Sequence, residues 1–239
     1  MQEKLPNPQK IVELLSPLLT AGRKRRIEQI LNLRTRYITI ILYDLYHEHN
    51  MSAVVRSCEA FGLQDCHVIE VENKFSPSHG VAIGAQQWID IFRYKTPKEC
   101  LNHLKKLGYK IYAADPPDKA ERTKGKNSYN IDDVKIQDSP IAIAFGKELD
   151  GLTDEIRQLC DGVVYIPMAG FTESLNVSVT AAICINTLRK KLEKLPTKKW
   201  QLSDEEKELL RSRWYIQSLK YGEKILKDLL EREKKRQAA

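Results

Sequence analysis

The sequence predicts an α/β chain on a mostly parallel sheet, flanked by helical extensions at both ends. Three observations lead there. Short β-branched, apolar runs alternate with helical segments through residues 37–192. Those helical segments carry recognisable starts and stops. Charge is also uneven along the 239 residues: 1–36 hold 8 Lys/Arg against 3 Asp/Glu, 189–239 hold 16 against 9, and 37–188 hold 15 against 20. The body is acidic and the ends are basic, so the expected division is 1–36, 37–192 and 193–239.

At the N-terminus, "PQKIVELLSPLL" and "RKRRIEQILNLRTR" place apolar residues at helical spacing. "YITIILYDL" (37–45) reads as a buried strand. "MSAVVRSCEAFG" (51–62) reads as a helix, with Asn50 placed as N-cap and Gly62 as its stop. "CHVIEV" (66–71) and "WIDIFRY" (88–94) are further strands. "PKECLNHLKKLG" (97–108) opens with Pro and closes with Gly, as a helix does. "YKIYAAD" (109–115), "PIAIAFG" (140–146) and "GVVYIPM" (162–168) are strands, and "TDEIRQLC" (153–160) is a short helix. Residues 116–139, rich in Lys, Asp and Pro, read as a loop. A long helix is expected from about Ser174 to Leu192. After it, Ser203 with Glu206 predicts a capping box, and Leu210, Trp214, Leu219, Leu226 and Leu230 near one face predict one following helix. Alternation of this kind argues a parallel α/β sheet.

Several classes are disfavoured. No apolar run reaches the roughly 18–20 residues of a membrane span, and "MQEKLPNPQK" lacks the apolar core of a signal peptide. Cys58, Cys66, Cys100, Cys160 and Cys184 are odd in number, well spread and form no CxxC. They fit reduced, buried thiols in a cytoplasmic protein and no metal site. Basic ends point to an anionic partner, nucleic acid first. Solvated Lys-rich helix faces are the plainer alternative.

Three stretches carry candidate chemistry. "HNMSAVVRSCEAFG" (49–62) follows a strand, where α/β folds place ligand loops; Asn50 equally suits a cap, and Arg56 a surface arginine with a buried stem. "AFGKELDGLTDE" (144–155) leaves a strand through Gly146, then Glu148 and Gly151. It is neither GxGxxG nor a Walker loop. "IPMAGFTESLNVSVTAA" (166–182) passes from a strand through a polar loop into a helix start, which favours anions.

In this order the three resemble the motifs of the SpoU (TrmH-type) RNA ribose 2′-O-methyltransferases of the SPOUT superfamily. The resemblance spans about residues 20–192. It implies a C-terminal deep trefoil knot that binds S-adenosyl-L-methionine. Backbone at Ala113, Ala114, Asp115, Phe145, Gly146, Ile166 and Met168, with Leu175, is then implied to hold the cofactor. The resemblance assigns proton abstraction to Arg56, although a free guanidinium is a poor base; stabilising the developing alkoxide suits it better. Asn50, Glu148, Ser174 and Asn176 are implied to orient RNA and cofactor. A homodimer is implied, with the knot helix as its surface and Arg56 facing a cofactor held by the partner.

With an acidic body, RNA is expected at Arg23, Lys24, Arg25, Arg26 and Arg34, and at Arg189 after the knot helix. Short helical extensions look most like the branch that methylates guanosine 18 of the tRNA D-loop. Ribosomal RNA as substrate, a non-catalytic RNA-binding member, and a plain small-molecule Rossmann-like enzyme remain the alternatives. The intact motif residues weigh against the second, and the missing glycine fingerprint against the third.

Overall fold

The computed structural model describes residues 7–76, 84–122 and 125–237. In chain order the helices are α1 (Pro8–Leu15), α2 (Ala21–Leu31), α3 (Glu48–Ala60), α4 (Pro97–Lys106), α5 (Pro117–Arg122), α6 (Asp154–Leu159), α7 (Val177–Leu192), α8 (Asp204–Gln217) and α9 (Gly222–Gln237). The strands are β1 (Ile38–Tyr43), β2 (Asp65–Ile69), β3 (Asp90–Tyr94), β4 (Lys110–Ala114), β5 (Ser128–Asn130), β6 (Ile141–Phe145) and β7 (Gly162–Tyr165). They fall into two units, Thr35–Trp200 and a second made from both chain ends, Met1–Arg34 with Gln201–Ala239.

The larger unit holds a seven-stranded sheet in the order β3-β2-β1-β6-β4-β7-β5, with every neighbouring pair parallel. Both faces of the central strands β1 and β6 are covered, so these read as nearly unbroken apolar runs. In β1, Ile38, Ile40 and Leu42 face one layer, where α3 and α7 pack together through Val54, Val55, Cys58, Cys184 and Leu188. Ile41 and Tyr43 face the opposite layer, with Leu101 and Leu104 of α4 and Ile156 of α6. This alternation is the period-2 rule of a strand. All five cysteines are buried and none is in a disulfide. Burial pushes the thiols of Cys160 and Cys184 up to about 12, which keeps them protonated and inert.

The structure corrects four sequence expectations. α3 starts at Glu48 with His47 in the cap position, so Asn50 lies inside the first turn rather than capping it. α7 starts at Val177 with Asn176 as its cap, which leaves Ser174 in the preceding loop. Residues 116–139 are not all loop. They contain α5 and β5, and β5 exists through its pairing with β7, a tertiary contact that local pattern does not encode. The single C-terminal helix is two, broken at 218–221 where Tyr221 takes a φ of +63°. A Cβ on Gly222 would lie 2.0 Å from the Ile216 carbonyl oxygen, so this turn needs glycine.

In the smaller unit, α1 and α2 pack on α8, and α9 packs on α8 and α1. Ile11, Leu15, Ile27, Leu31, Leu210, Trp214 and Leu226 are buried. The capping box forms as expected: Ser203 Oγ accepts from the Glu206 N–H at 3.2 Å, and the Ser203 N–H donates back to the Glu206 carboxylate at 2.9 Å. Arg211 makes a two-pronged pair with Glu28 at 2.6 and 2.8 Å, joining α8 to α2. No described helix is long and apolar enough to cross a membrane.

Candidate active site at the carboxyl ends of the strands

The chain leaves β1, β4, β6 and β7 on the same side of the sheet. β6 lies between β1 and β4, so the strand order reverses there, the position at which open α/β sheets place ligands. An open cleft lies at these ends. Ala114 and Asp115 wall it after β4, Phe145, Gly146 and Glu148 after β6, and Ile166 and Met168 after β7. Ser174 and Leu175 close it from the loop before α7. Of the expected cofactor residues only Ala113 is off the lining; it is wholly buried in β4.

Gly146 is dictated by space. The next residues turn back in a tight hairpin, with Lys147 and Gly151 exchanging N–H···O bonds of 3.1 and 3.0 Å. A Cβ at Gly146 would lie 2.1 Å from the Gly151 carbonyl carbon. Gly151 supplies a φ of +72° to complete the turn.

That turn delivers Glu148 to the start of α3. Its carboxylate accepts the N–H groups of Tyr46 (3.2 Å) and His47 (3.1 Å) and the Asn50 amide (3.0 Å). Helix N-termini carry unsatisfied donors, and here a carboxylate from another loop serves them. The chain of donors continues backwards. Ser178 donates through N–H (2.8 Å) and Oγ (2.6 Å) to Asn176 Oδ1, and Asn176 Nδ2 donates to Asn50 Oδ1 at 3.1 Å. Each amide is thereby oriented, and every donor points toward Glu148. Burial pushes the Glu148 carboxyl up, but the Asn50 amide and the His47 and Tyr46 N–H groups outweigh it. They hold the group below the ordinary glutamate range.

Sequence reasoning assigned Ser178 nothing beyond a helix start; the structure makes it the group that sets the Asn176 amide. It also missed Arg157, whose guanidinium grips the buried Asp115 carboxylate at 2.8 and 3.1 Å, and Asp44 and Lys147, which pair at 2.9 Å. Only the contact of Arg157 with Asp154, three residues earlier on the same helix and at 2.9 Å, was legible; its grip on Asp115 was not.

The expected arginines divide. Arg56 is exposed on α3, off the cleft lining, and makes no hydrogen bond or ion pair among the described residues. Arg23, Arg25 and Arg26 are exposed on α2, as phosphate contacts require. Lys24 is half-buried and bonds the Ser16 carbonyl and hydroxyl, both at 3.2 Å. Arg34 and Arg189 are corrected outright. Arg34 is fully buried with its guanidinium 5.2 Å from the Trp214 ring centre. Arg189 is 8% exposed, stacks 4.7 Å from the Trp200 ring centre and bonds Glu193 at 3.2 Å. Both are cation–π packing groups.

Comparison with known proteins fits this geometry. Residues 37–186 match the model of the SpoU rRNA Methylase family. The chain is 39% identical over 211 residues to a tRNA (guanosine(18)-2′-O)-methyltransferase of Borreliella burgdorferi, covering 88% of this chain and 92% of that protein. It is 32% identical over 166 residues to the enzyme of that name from Thermus thermophilus, covering 70% and 81%. The crystal structure of the A. aeolicus TrmH/SpoU tRNA modifying enzyme aligns with a TM-score of 0.71 at 27% identity, over 83% of this chain and 98% of that one. With a family model matched over residues 37–186 and a relative 39% identical over most of both chains, the chain belongs to the SpoU methylase family.

Proposed function

We propose that this protein transfers a methyl group from S-adenosyl-L-methionine to a ribose 2′-hydroxyl of tRNA, at guanosine 18. The observation that carries the reading is the one-way donor chain from Ser178 through Asn176 and Asn50 to Glu148, beside the open cleft at the strand ends. Small-molecule sites combine apolar walls with a few placed polar groups. This cleft offers Phe145, Ile166, Met168 and Leu175 as apolar walls, with Gly146 between them and Glu148.

The order β4-β7-β5 supports the knot. β7 enters a gap between two strands laid down before it, and a Cβ on Gly162 would lie 3.0 Å from the Asn127 carbonyl oxygen and 3.2 Å from the Tyr112 ring. The bound cofactor supplies an already activated methyl group, so the protein's task is alignment and removal of one proton. Asn50 and Asn176, fixed by their hydrogen bonds, orient the ribose. Arg56, exposed and free of ion pairs among the described residues, meets the developing alkoxide or a neighbouring phosphate. Its distance from the cleft lining fits a homodimer in which Arg56 of one protomer serves the cofactor of its partner. Arg23, Arg25 and Arg26 grip tRNA phosphates.

The test is transfer of labelled methyl to unmodified tRNA and to ribosomal RNA, with the modified nucleotide mapped. Label at guanosine 18 is expected. Arg56→Ala is expected to abolish transfer while cofactor binding survives. Label on ribosomal RNA alone would overturn the substrate, and tRNA binding without transfer would overturn the reaction.

A further inference from the structure

Segments 44–50 and 147–148 grip each other twice, in opposite directions. Glu148 reaches from the second to the N–H groups of Tyr46 and His47 and to Asn50. Asp44 reaches back from the first, with its Oδ2 2.9 Å from the Lys147 ammonium. The Asp44 side chain is wholly shielded from solvent. Its Oδ1 accepts the N–H groups of Val71, Glu72 and Asn73 at 3.0, 2.9 and 2.8 Å. Asp44 also adopts a φ of +49°, which short polar side chains tolerate better than most. Lys147 binds Glu72 as well, at 2.7 Å, and lines the cleft.

A shielded carboxylate is costly unless its lone pairs are used. The three backbone donors all go to Oδ1, and the buried Oδ2 is met by the Lys147 ammonium. That ammonium also ties together the loop after β2, the end of β1 and the turn after β6. Glu148 is the next residue along that turn.

We propose that Asp44 and Lys147 are positioning residues for the methyl transfer. Their pair anchors the turn that carries Glu148 and so fixes Glu148 against Asn50. This role rests on the reaction proposed above. The two residues act through Glu148 and touch neither the ribose nor the transferred methyl.

The experiment compares full-length wild type, Lys147→Met, Lys147→Arg and Asp44→Asn in methyl transfer to unmodified tRNA, with kcat and KM measured separately. Small displacements of a catalytic frame cost up to about a hundredfold in rate, so Lys147→Met should lower kcat by roughly ten- to a hundredfold with KM for tRNA nearly unchanged. Lys147→Arg should restore most of it, and Asp44→Asn should behave like Lys147→Met. Amide exchange at Tyr46 and His47, the N–H groups that Glu148 covers, should quicken in Lys147→Met while cooperative unfolding is kept. An unchanged kcat in Lys147→Met overturns the role, as does a loss that Lys147→Arg fails to recover. Should Lys147→Met not fold, the kcat of Asp44→Asn decides on the same terms. Wild type that transfers no methyl to any RNA overturns the reaction and this role with it, whereas wild-type activity matched by Lys147→Met overturns only the role.

Discussion

Glu148 and Asp115 follow neighbouring parallel strands, β6 and β4, and wall the same cleft. Their surroundings differ in kind. Asp115 is met by a guanidinium: Arg157 binds both its oxygens, and its side chain is 2% exposed. Glu148 is met by neutral donors only, two backbone N–H groups and one amide. The first charge is cancelled where it sits. The second is oriented by dipoles, including those of the α3 N-terminus, and keeps its sign. One carboxylate therefore builds the wall, and the other leaves a directed negative charge beside the cleft.

The largest effect that would break this contrast is on stability. Arg157→Ala leaves Asp115 shielded and unpaired, and losing one partner of a buried pair costs about 3 kcal/mol. Urea unfolding should show that loss, and an unchanged midpoint would return Asp115 to an ordinary surface acid. Glu148→Gln comes next. It keeps the size but turns a donor toward the Asn50 amide, and hydrogen bonds to charged groups are worth roughly 1.5–3 kcal/mol. Single-turnover methyl transfer should fall by roughly ten- to a hundredfold, since about 1.4 kcal/mol is a factor of ten. A stability loss as large as that of Arg157→Ala, with transfer intact, would reverse the two assignments. The arginines sharpen a related distinction, between buried and exposed charge. Replacing exposed Arg23, Arg25 and Arg26 by Ala should raise KM for tRNA and flatten its salt dependence, by about 0.9 in log–log slope for each phosphate no longer neutralised. Arg34→Ala, which removes a guanidinium packed on Trp214, should lower the melting temperature and leave that slope unchanged.

The difference between those arginines also marks what the sequence could reveal. Alternating apolar runs located every large strand, because burial on both faces writes a continuous pattern into β1, β4 and β6. The three-residue β5 writes none; it is a strand only because β7 lies beside it. Charge counts found the basic ends but could not separate Arg25 from Arg34 or Arg189, since stacking on a tryptophan far along the chain leaves no local mark. For the same reason the motifs located Glu148, Asn50 and Asn176 but not the direction of their hydrogen bonds. That direction depends on Ser178, which looked like a plain helix opening. Asp44, Lys147 and Arg157 act across separate strand ends, a proximity that only the folded sheet creates.

The smallest expected effect lies in acid. Donors hold the folded Glu148 carboxyl below its ordinary value, near 4.3 in an unfolded chain. A group depressed on folding stabilises the protein above its unfolded pKa, and that contribution fades as pH falls through the folded one. Wild type and Glu148→Gln should therefore differ most in unfolding free energy above about pH 5 and converge toward acid. Asp44 is also held low, by the Asn73, Glu72 and Val71 N–H groups and by Lys147, against a burial that pushes it up. Asp44→Asn should thus flatten the same acid limb, and the double variant should flatten it further. A gap between wild type and Glu148→Gln that widened in acid would mean that the carboxyl is protonated in the fold. The donor chain would then end on a neutral acid, and the contrast with Asp115 would be lost at its root.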